Sequence, residues 1–344
     1  MTEAKSNPLP LGEAKSSLIG DSGERVQDIA WSEAAPVLGS GFAMGSADVV
    51  PGVSGGTMAV ACGIYEQLLA AIASINPLSI RAALKLDFSE VLRIVHYRFL
   101  VSLALGLFAA IVVMIKIVRL PELLLSHPTL VYSVFFGLVA ASIFVLGKKV
   151  KWTGPQVLAL VVGTAFGFAV VNMVPRDMPG SPFFMYLYGV IAISAMLLPG
   201  ISGSFILLIL GQYERVIGAL KSLLHLEWGA LAIVVPFSLG CLTGIVVFSR
   251  LVSWMLRKFH DPVMAGLCGL LLGSLWRIWP YQVTITRVVH EKIKVIKATP
   301  VLPESWQMTP LLLLVLGFAL VFFIEFLAKK RSLALSSSSI RPGN

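Results

Sequence analysis

Residues 51–66 read PGVSGGTMAVACGIYE, and residues 199–214 read PGISGSFILLILGQYE. The second copy begins 199 − 51 = 148 positions after the first, and seven of the sixteen positions coincide: Pro, Gly, Ser, Gly, Gly, Tyr and Glu. Both copies lie inside long apolar runs. Proline removes a backbone donor and glycine weakens a helix, so Pro51-Gly52 and Pro199-Gly200 each predict a helix break. Such a break inside a membrane leaves backbone polar groups to be satisfied, and it is tolerated where it lines a site. The duplicated element is therefore the expected functional centre of a membrane transporter.

The rest of the chain has the composition of a polytopic membrane protein. Its 344 residues are 57% hydrophobic and only 13% charged, with a mean hydropathy of +0.86. Soluble domains carry charge at roughly a quarter of their positions. Residues 1–33 are polar and have no apolar stretch next to a cleavage site, so they are expected to be a cytosolic tail, not a signal peptide. Cys62, Cys241 and Cys268 lie in apolar runs and form no CxxC pair, which argues against a disulfide framework or a zinc site. The net charge of +9 speaks for topology and not for nucleic acid. Its clusters at Arg81, Lys85, Arg93 and Arg98, at Lys148, Lys149 and Lys151, at Arg250, Arg257 and Lys258, and at Lys329, Lys330 and Arg331 are candidates for the cytoplasmic face.

A helix needs roughly 20 apolar residues to cross the hydrocarbon core. Single spans are expected at 99–118, 129–147, 155–174, 229–253, 263–279 and 309–327. The uncharged run from Met178 to Tyr213 holds 36 residues; as one straight helix it would reach roughly 54 Å, against a core of about 30 Å, so it must break. The first run, 34–65, is interrupted at Asp48 and at Pro51-Gly52. Gly106, Ile111 and Lys116 match Gly240, Ile245 and Arg250 at an offset of 134, and GLVAASIF from Gly137 matches GLLLGSLW from Gly269 at an offset of 132. The expected organisation is two homologous halves, 34–176 and 182–328, each a broken element followed by three spans, with a Ser-rich tail over 329–344. The distribution of basic residues does not separate inverted from parallel halves. Pro-Gly followed by Ser-Gly-Gly or Ser-Gly-Ser suits the tip of a re-entrant hairpin, which favours inversion.

A Gly- and Ser-rich turn at a helix start presents free N–H groups together with the positive end of the helix dipole, and so prefers an anion. Ser54, Gly55, Gly56 and Thr57 from one tip, with Ser202, Gly203 and Ser204 from the other, are the candidate phosphate ligands. The competing reading is that the glycines only allow close packing. Arg250 and Lys116 are equivalent in the repeat and read either as phosphate clamps or as interfacial side chains that snorkel. Asp48, Glu66 and Glu214 are candidate proton or sodium sites, with helix-end positions as the alternative for the two glutamates. The five histidines lack metal-ligand spacing, and PGVSGG lacks the GK[ST] of a nucleotide-binding loop. No cofactor is expected.

GSADVVPGVSGGTMAVACGIYEQLLAAI from Gly45 and LLPGISGSFILLILGQYE from Leu197 resemble the bacterial and archaeal polyprenyl-phosphate transporter family over about residues 34–328. The resemblance implies a flippase of the bacterial cytoplasmic membrane that returns undecaprenyl phosphate to the inner leaflet. It also implies that Ser54, Gly55, Gly56, Ser202, Gly203 and Ser204 lie on the family's paired motifs. Coupling to a proton or sodium gradient through Asp48 is a further expectation. A carrier or channel for a small soluble anion stays open as an alternative, and so, more remotely, does an enzyme acting on lipid phosphates.

Overall fold

A computed structural model describes residues 28–176, 178–289, 292–303 and 307–338. Most of the expected tail, residues 1–27, lies outside these, as do residues 339–344. Fifteen helices are described: α1 (Ala34–Asp48), α2 (Gly55–Ala61), α3 (Tyr65–Ala73), α4 (Pro77–Leu84), α5 (Phe88–Ile94), α6 (Tyr97–Lys116), α7 (Leu120–Ser126), α8 (Pro128–Gly147), α9 (Gly154–Val171), α10 (Pro182–Leu197), α11 (Gly203–Ile209), α12 (Tyr213–Leu224), α13 (Leu231–Lys258), α14 (His260–Ser274) and α15 (Met308–Ser338). Among the described residues five helical stretches are long and apolar enough to cross a membrane, and two further pairs, α2 with α3 and α11 with α12, qualify as bent spans or re-entrant loops. The chain is thus a multi-pass helical membrane protein.

The duplicated element breaks twice in each copy. The first break follows α1 or α10, where Gly52 and Gly200 both take φ +88°, a conformation that glycine alone adopts without strain. The second falls at Gly63 (φ +71°) and Gly211 (φ +67°), where α2 and α3 meet at 119° and α11 and α12 at 112°. Gly63 and Gly211 are among the seven coincident positions, so this second break was visible in the sequence but not read from it.

Helix direction follows from close contacts at glycines. A methyl group at Gly41 would lie 2.2 Å from the Leu103 carbonyl oxygen, and one at Gly45 would lie 2.5 Å from that of Leu107, so α1 and α6 run parallel. Residues 49–96 therefore bring the chain back to the side where α1 begins. α10 and α13 repeat this arrangement, with Tyr186 against Gly240 and Val190 against Gly244. Small residues at such crossings let helix backbones approach closely inside a membrane, where apolar burial alone gives no drive to pair.

The other spans pair between the halves. α9 runs parallel to α14, Gly163 meeting Gly266 and Gly167 meeting Leu270, and α15 packs on α8. The second span of each half thus pairs with the third span of the other. α8 and its counterpart α14 run in opposite directions, since Ile143 contacts Cys268 while Phe136, earlier in α8, meets Trp279 beyond the end of α14.

Three features depart from expectation. The connection 277–308 contains an antiparallel pair, β1 (Gln282–Val289) and β2 (Lys292–Pro300). Its strands are rich in β-branched residues interleaved with polar ones, a hairpin signal that a search for apolar runs passes over. α15 runs on to Ser338, although its span was expected to end near 327; Ala, Leu, Lys and Arg are good helix formers and propagate it. Asp28, inside the expected tail, caps α6: its carboxylate accepts from the N–H groups of Arg98 at 2.9 Å and Phe99 at 3.2 Å.

Candidate functional site: two re-entrant tips in contact

The two hairpins meet tip to tip. The Gly200 N–H donates to the Thr57 hydroxyl at 3.0 Å, and the Tyr65 hydroxyl donates to the Leu197 carbonyl at 3.0 Å. Both bonds join residues more than 130 positions apart, and both lie in the buried interior. Tyr132 of α8 reaches the Pro51 carbonyl at 3.3 Å, while Gly200 packs on the last turn of α14 near Ser274. Pro51, Gly52, Pro199 and Gly200 therefore all sit at a junction where α2, α11, α8 and α14 converge.

The two tips are chemically unequal. In the first, the Asp48 carboxylate accepts from the Gly55 N–H at 2.7 Å, and the Ser54 hydroxyl accepts from the Gly56 N–H at 3.2 Å. Ser54 and Thr57 are each 1% exposed. The chain thus supplies its own acceptor to the first tip: the Asp48 carboxyl group stands where a ligand was expected. A methyl group at Gly55 would lie 2.6 Å from the Asp48 carboxylate and would push that side chain aside.

The second tip has Met196 in place of Asp48. Ser202 and Ser204 hydrogen-bond to each other through their hydroxyls at 2.8 Å, and Ser204 is exposed. Among the described residues no acceptor within the chain takes the N–H of Gly203 or Ser204. These donors can meet a ligand without breaking an internal bond.

The basic candidates lie away from the tips in this conformation. Arg250 donates to the Ile75 carbonyl at 3.0 Å, beyond the end of α3 and at the base of the first hairpin. Lys116 is exposed at the last residue of α6. Glu66, in the first turn of α3, meets His260 Nε2 at 3.4 Å. His260 stands at the membrane-surface end of α14, ahead of the apolar stretch that begins at Val263. Its hydrogen bond to the Glu66 carboxylate, reinforced by Asp261, raises it to about 9, so the imidazolium persists at neutral pH. Arg250 and His260 thus both tie the first hairpin to the second half at its base. Glu214 occupies the matching place in the first turn of α12.

One residue at the tips was missed. Arg277, in a 3-10 turn (Leu275–Ile278) after α14, has its Cγ 3.1 Å from where a side chain at Gly52 would begin, and its guanidinium carbon lies 5.2 Å from the Phe205 ring centroid. It is the first residue beyond the matched segment GLLLGSLW, and its counterpart at offset 132 is the buried Val145. The loss of repeat symmetry at that position was the available signal.

Comparison with known proteins places the chain in a family. A profile of the VCA0040-like family, described as undecaprenyl phosphate translocase-like, matches residues 44–296. A polyprenyl-phosphate transporter of Vibrio cholerae is 35% identical over 303 residues, 84% of this chain and 96% of that one. A polyprenyl-phosphate transporter of Staphylococcus aureus is 29% identical over 254 residues, 70% of this chain and 84% of that one. No solved structure matches the chain. With both hairpin motifs inside the matched region, the chain belongs to the undecaprenyl phosphate translocase-like family.

Proposed function

We propose that the protein is a transporter, not an enzyme, that carries polyprenyl phosphate, undecaprenyl phosphate foremost, across the bacterial cytoplasmic membrane. The observation that carries this reading is the meeting of two re-entrant tips inside the bundle, with the N–H groups of Gly203 and Ser204 free of an internal acceptor at one of them among the described residues. A phosphate monoester needs such donors in the low-dielectric core, because an ion without partners is strongly excluded from it. The isoprenoid chain stays in lipid while the head group moves. The names of the two relatives support the same substrate class. Reconstitution into liposomes with labelled undecaprenyl phosphate tests the reading. The label should become accessible to a reagent in the opposite leaflet only when the protein is present. Transport of inorganic phosphate without movement of the lipid would favour the soluble-anion alternative, and release of phosphate would favour an enzyme.

The two halves are read as an inverted repeat. Each hairpin returns to its starting side and is followed by three spans, an odd number, so the second half begins from the opposite face. The opposed directions of α8 and α14 support this. In that topology the bases of α4 and α13 lie on one side. Single cysteines replacing Lys85 and Lys258 should therefore label from the same face of the membrane, and labelling from opposite faces would sink the inversion.

Asp48 is proposed as the coupling residue for protons or sodium, because it sits in one hairpin only and its carboxylate touches the junction between them. The phosphate moves past it on the second tip, so a change in its charge alters the field that the phosphate meets.

A further inference from the structure

Beside the tip junction lies a groove of about 880 Å³ between α8, α9 and the segment that follows α14. This is near the upper end of the roughly 300–1,000 Å³ typical of small-molecule clefts. Phe136, Val161, Phe168, Trp276, Trp279 and Leu302 form much of its wall, and among the described residues no charged side chain lines it. Thr164, the one hydroxyl in the wall among the described residues, donates to the Leu160 carbonyl at 2.8 Å and is satisfied within its own helix. Val161, Phe168 and Leu302 are 57%, 46% and 83% exposed, so the groove opens sideways, away from the bundle interior. Such a cleft offers nothing to a soluble ion.

The head of the groove is different. In a 3-10 turn side chains three apart fall on one face. Trp276 and Trp279 accordingly both face the groove, and Arg277 between them is directed elsewhere. It points at the tips: its stem lies against Gly52 of the first and its guanidinium lies over Phe205, next to Ser204 of the second. The segment is anchored behind it, since Gln282 Nε2 donates to the carbonyls of Arg277 at 2.8 Å and Trp279 at 2.7 Å, and the Trp279 indole donates to the Val301 carbonyl at 2.9 Å. A cation that touches both hairpins, flanked in the same 3-10 turn by two tryptophans that line an apolar trough, is complementary to one kind of molecule. That molecule has a single anionic head on an apolar chain.

We propose that Arg277 and this groove form the seat of the lipid phosphate, with the guanidinium holding the phosphate and the groove holding the isoprene units nearest to it. The proposal rests on the lipid-phosphate reading and adds a site to it. A planar guanidinium can engage two phosphate oxygens at once, a geometry that a lysine ammonium lacks. Because Arg277 bridges the tips, a head group bound there stands beside Phe205 of the second tip. Val145, in the matching place of the first half, cannot repeat this role, so a single seat serves both leaflets.

Equilibrium binding of farnesyl phosphate, farnesol and inorganic phosphate to the full chain in lipid nanodiscs tests the seat. Arg277→Gln should weaken farnesyl phosphate by about tenfold or more and leave farnesol unchanged, and Arg277→Lys should recover part of the loss. Leu302→Asp, at an exposed position on the groove mouth where folding is not at stake, should weaken farnesyl phosphate and farnesol alike. If Arg277→Gln melts as wild type and binds farnesyl phosphate with unchanged affinity, or if Leu302→Asp binds both lipids normally, the seat is elsewhere. Should Arg277→Gln fail to fold, the lysine variant and Leu302→Asp decide between the same two outcomes. If the wild-type protein binds no farnesyl phosphate and moves no polyprenyl phosphate, the lipid-phosphate reading itself fails. Wild-type transport with indifferent variants removes only the seat.

Discussion

Gly200→Val should abolish translocation of polyprenyl phosphate in proteoliposomes, while Gly218→Ala should leave it intact. Gly200 sits at φ +88°, where a β-branched residue is strongly strained, and its missing side chain makes room for α14. A Cβ there would lie 2.8 Å from the Ser274 hydroxyl and 3.1 Å from the Leu270 carbonyl. Left-handed backbone strain of about 1–2 kcal/mol and overpacking of about 1–3 kcal/mol together disfavour the tip geometry by roughly thirty- to several-thousand-fold. The Gly200 N–H also forms the bond to Thr57 that joins the hairpins. Gly218, on α12, has open space around it and controls for loss of a glycine as such. Normal transport by Gly200→Val would mean that the contact between the tips is dispensable.

The second large effect is expected at Asp48, where two substitutions separate two roles. Asp48→Ala leaves the Gly55 N–H without its acceptor in a part-buried site. An unsatisfied buried donor costs about 1–3 kcal/mol, so this variant should melt lower and transport poorly. Asp48→Asn keeps an acceptor oxygen and loses the charge. It should melt close to wild type yet lose its response to an imposed proton or sodium gradient. Gradient-driven transport that survives in Asp48→Asn would leave the residue only its role as cap of α2. Full stability of Asp48→Ala would instead show that the bond to Gly55 contributes little.

The difference between the tips changes the meaning of the repeat. Duplication suggests two equal anion sites, yet Asp48 fills one of them, while with Met196 in its place the N–H groups of Gly203 and Ser204 have no acceptor among the described residues. Arg277 opposite Val145 adds a second asymmetry at the same junction. At the hairpin bases, Arg250 donates to the Ile75 carbonyl while its counterpart Lys116 is exposed. The two halves share a backbone plan and divide the chemistry between them.

The sequence by itself determined what depends on neighbours along the chain. Apolar runs set the spans, because crossing hydrocarbon requires about 20 apolar residues whatever the fold. Pro51-Gly52 and Pro199-Gly200 set the first breaks, because proline and glycine act through their own backbone. Gly63 and Gly211 set the second breaks by the same local means, and the β-branched alternation of 282–300 specified its hairpin. Both signals were present, though a reading keyed to hydropathy did not use them. Tertiary structure alone decided which donors stay open. Whether the Gly55 N–H meets a ligand or Asp48 depends on α1 folding back against α2. Whether the Thr57 hydroxyl faces a cavity or Gly200 depends on two segments 143 residues apart. Arg277 reads in sequence as one more basic residue near a span end. Only the packing of α14 against both hairpins turns it toward the tips, because a side chain's electrostatic role is set by what surrounds it in space, and those neighbours come from residues 52 and 205.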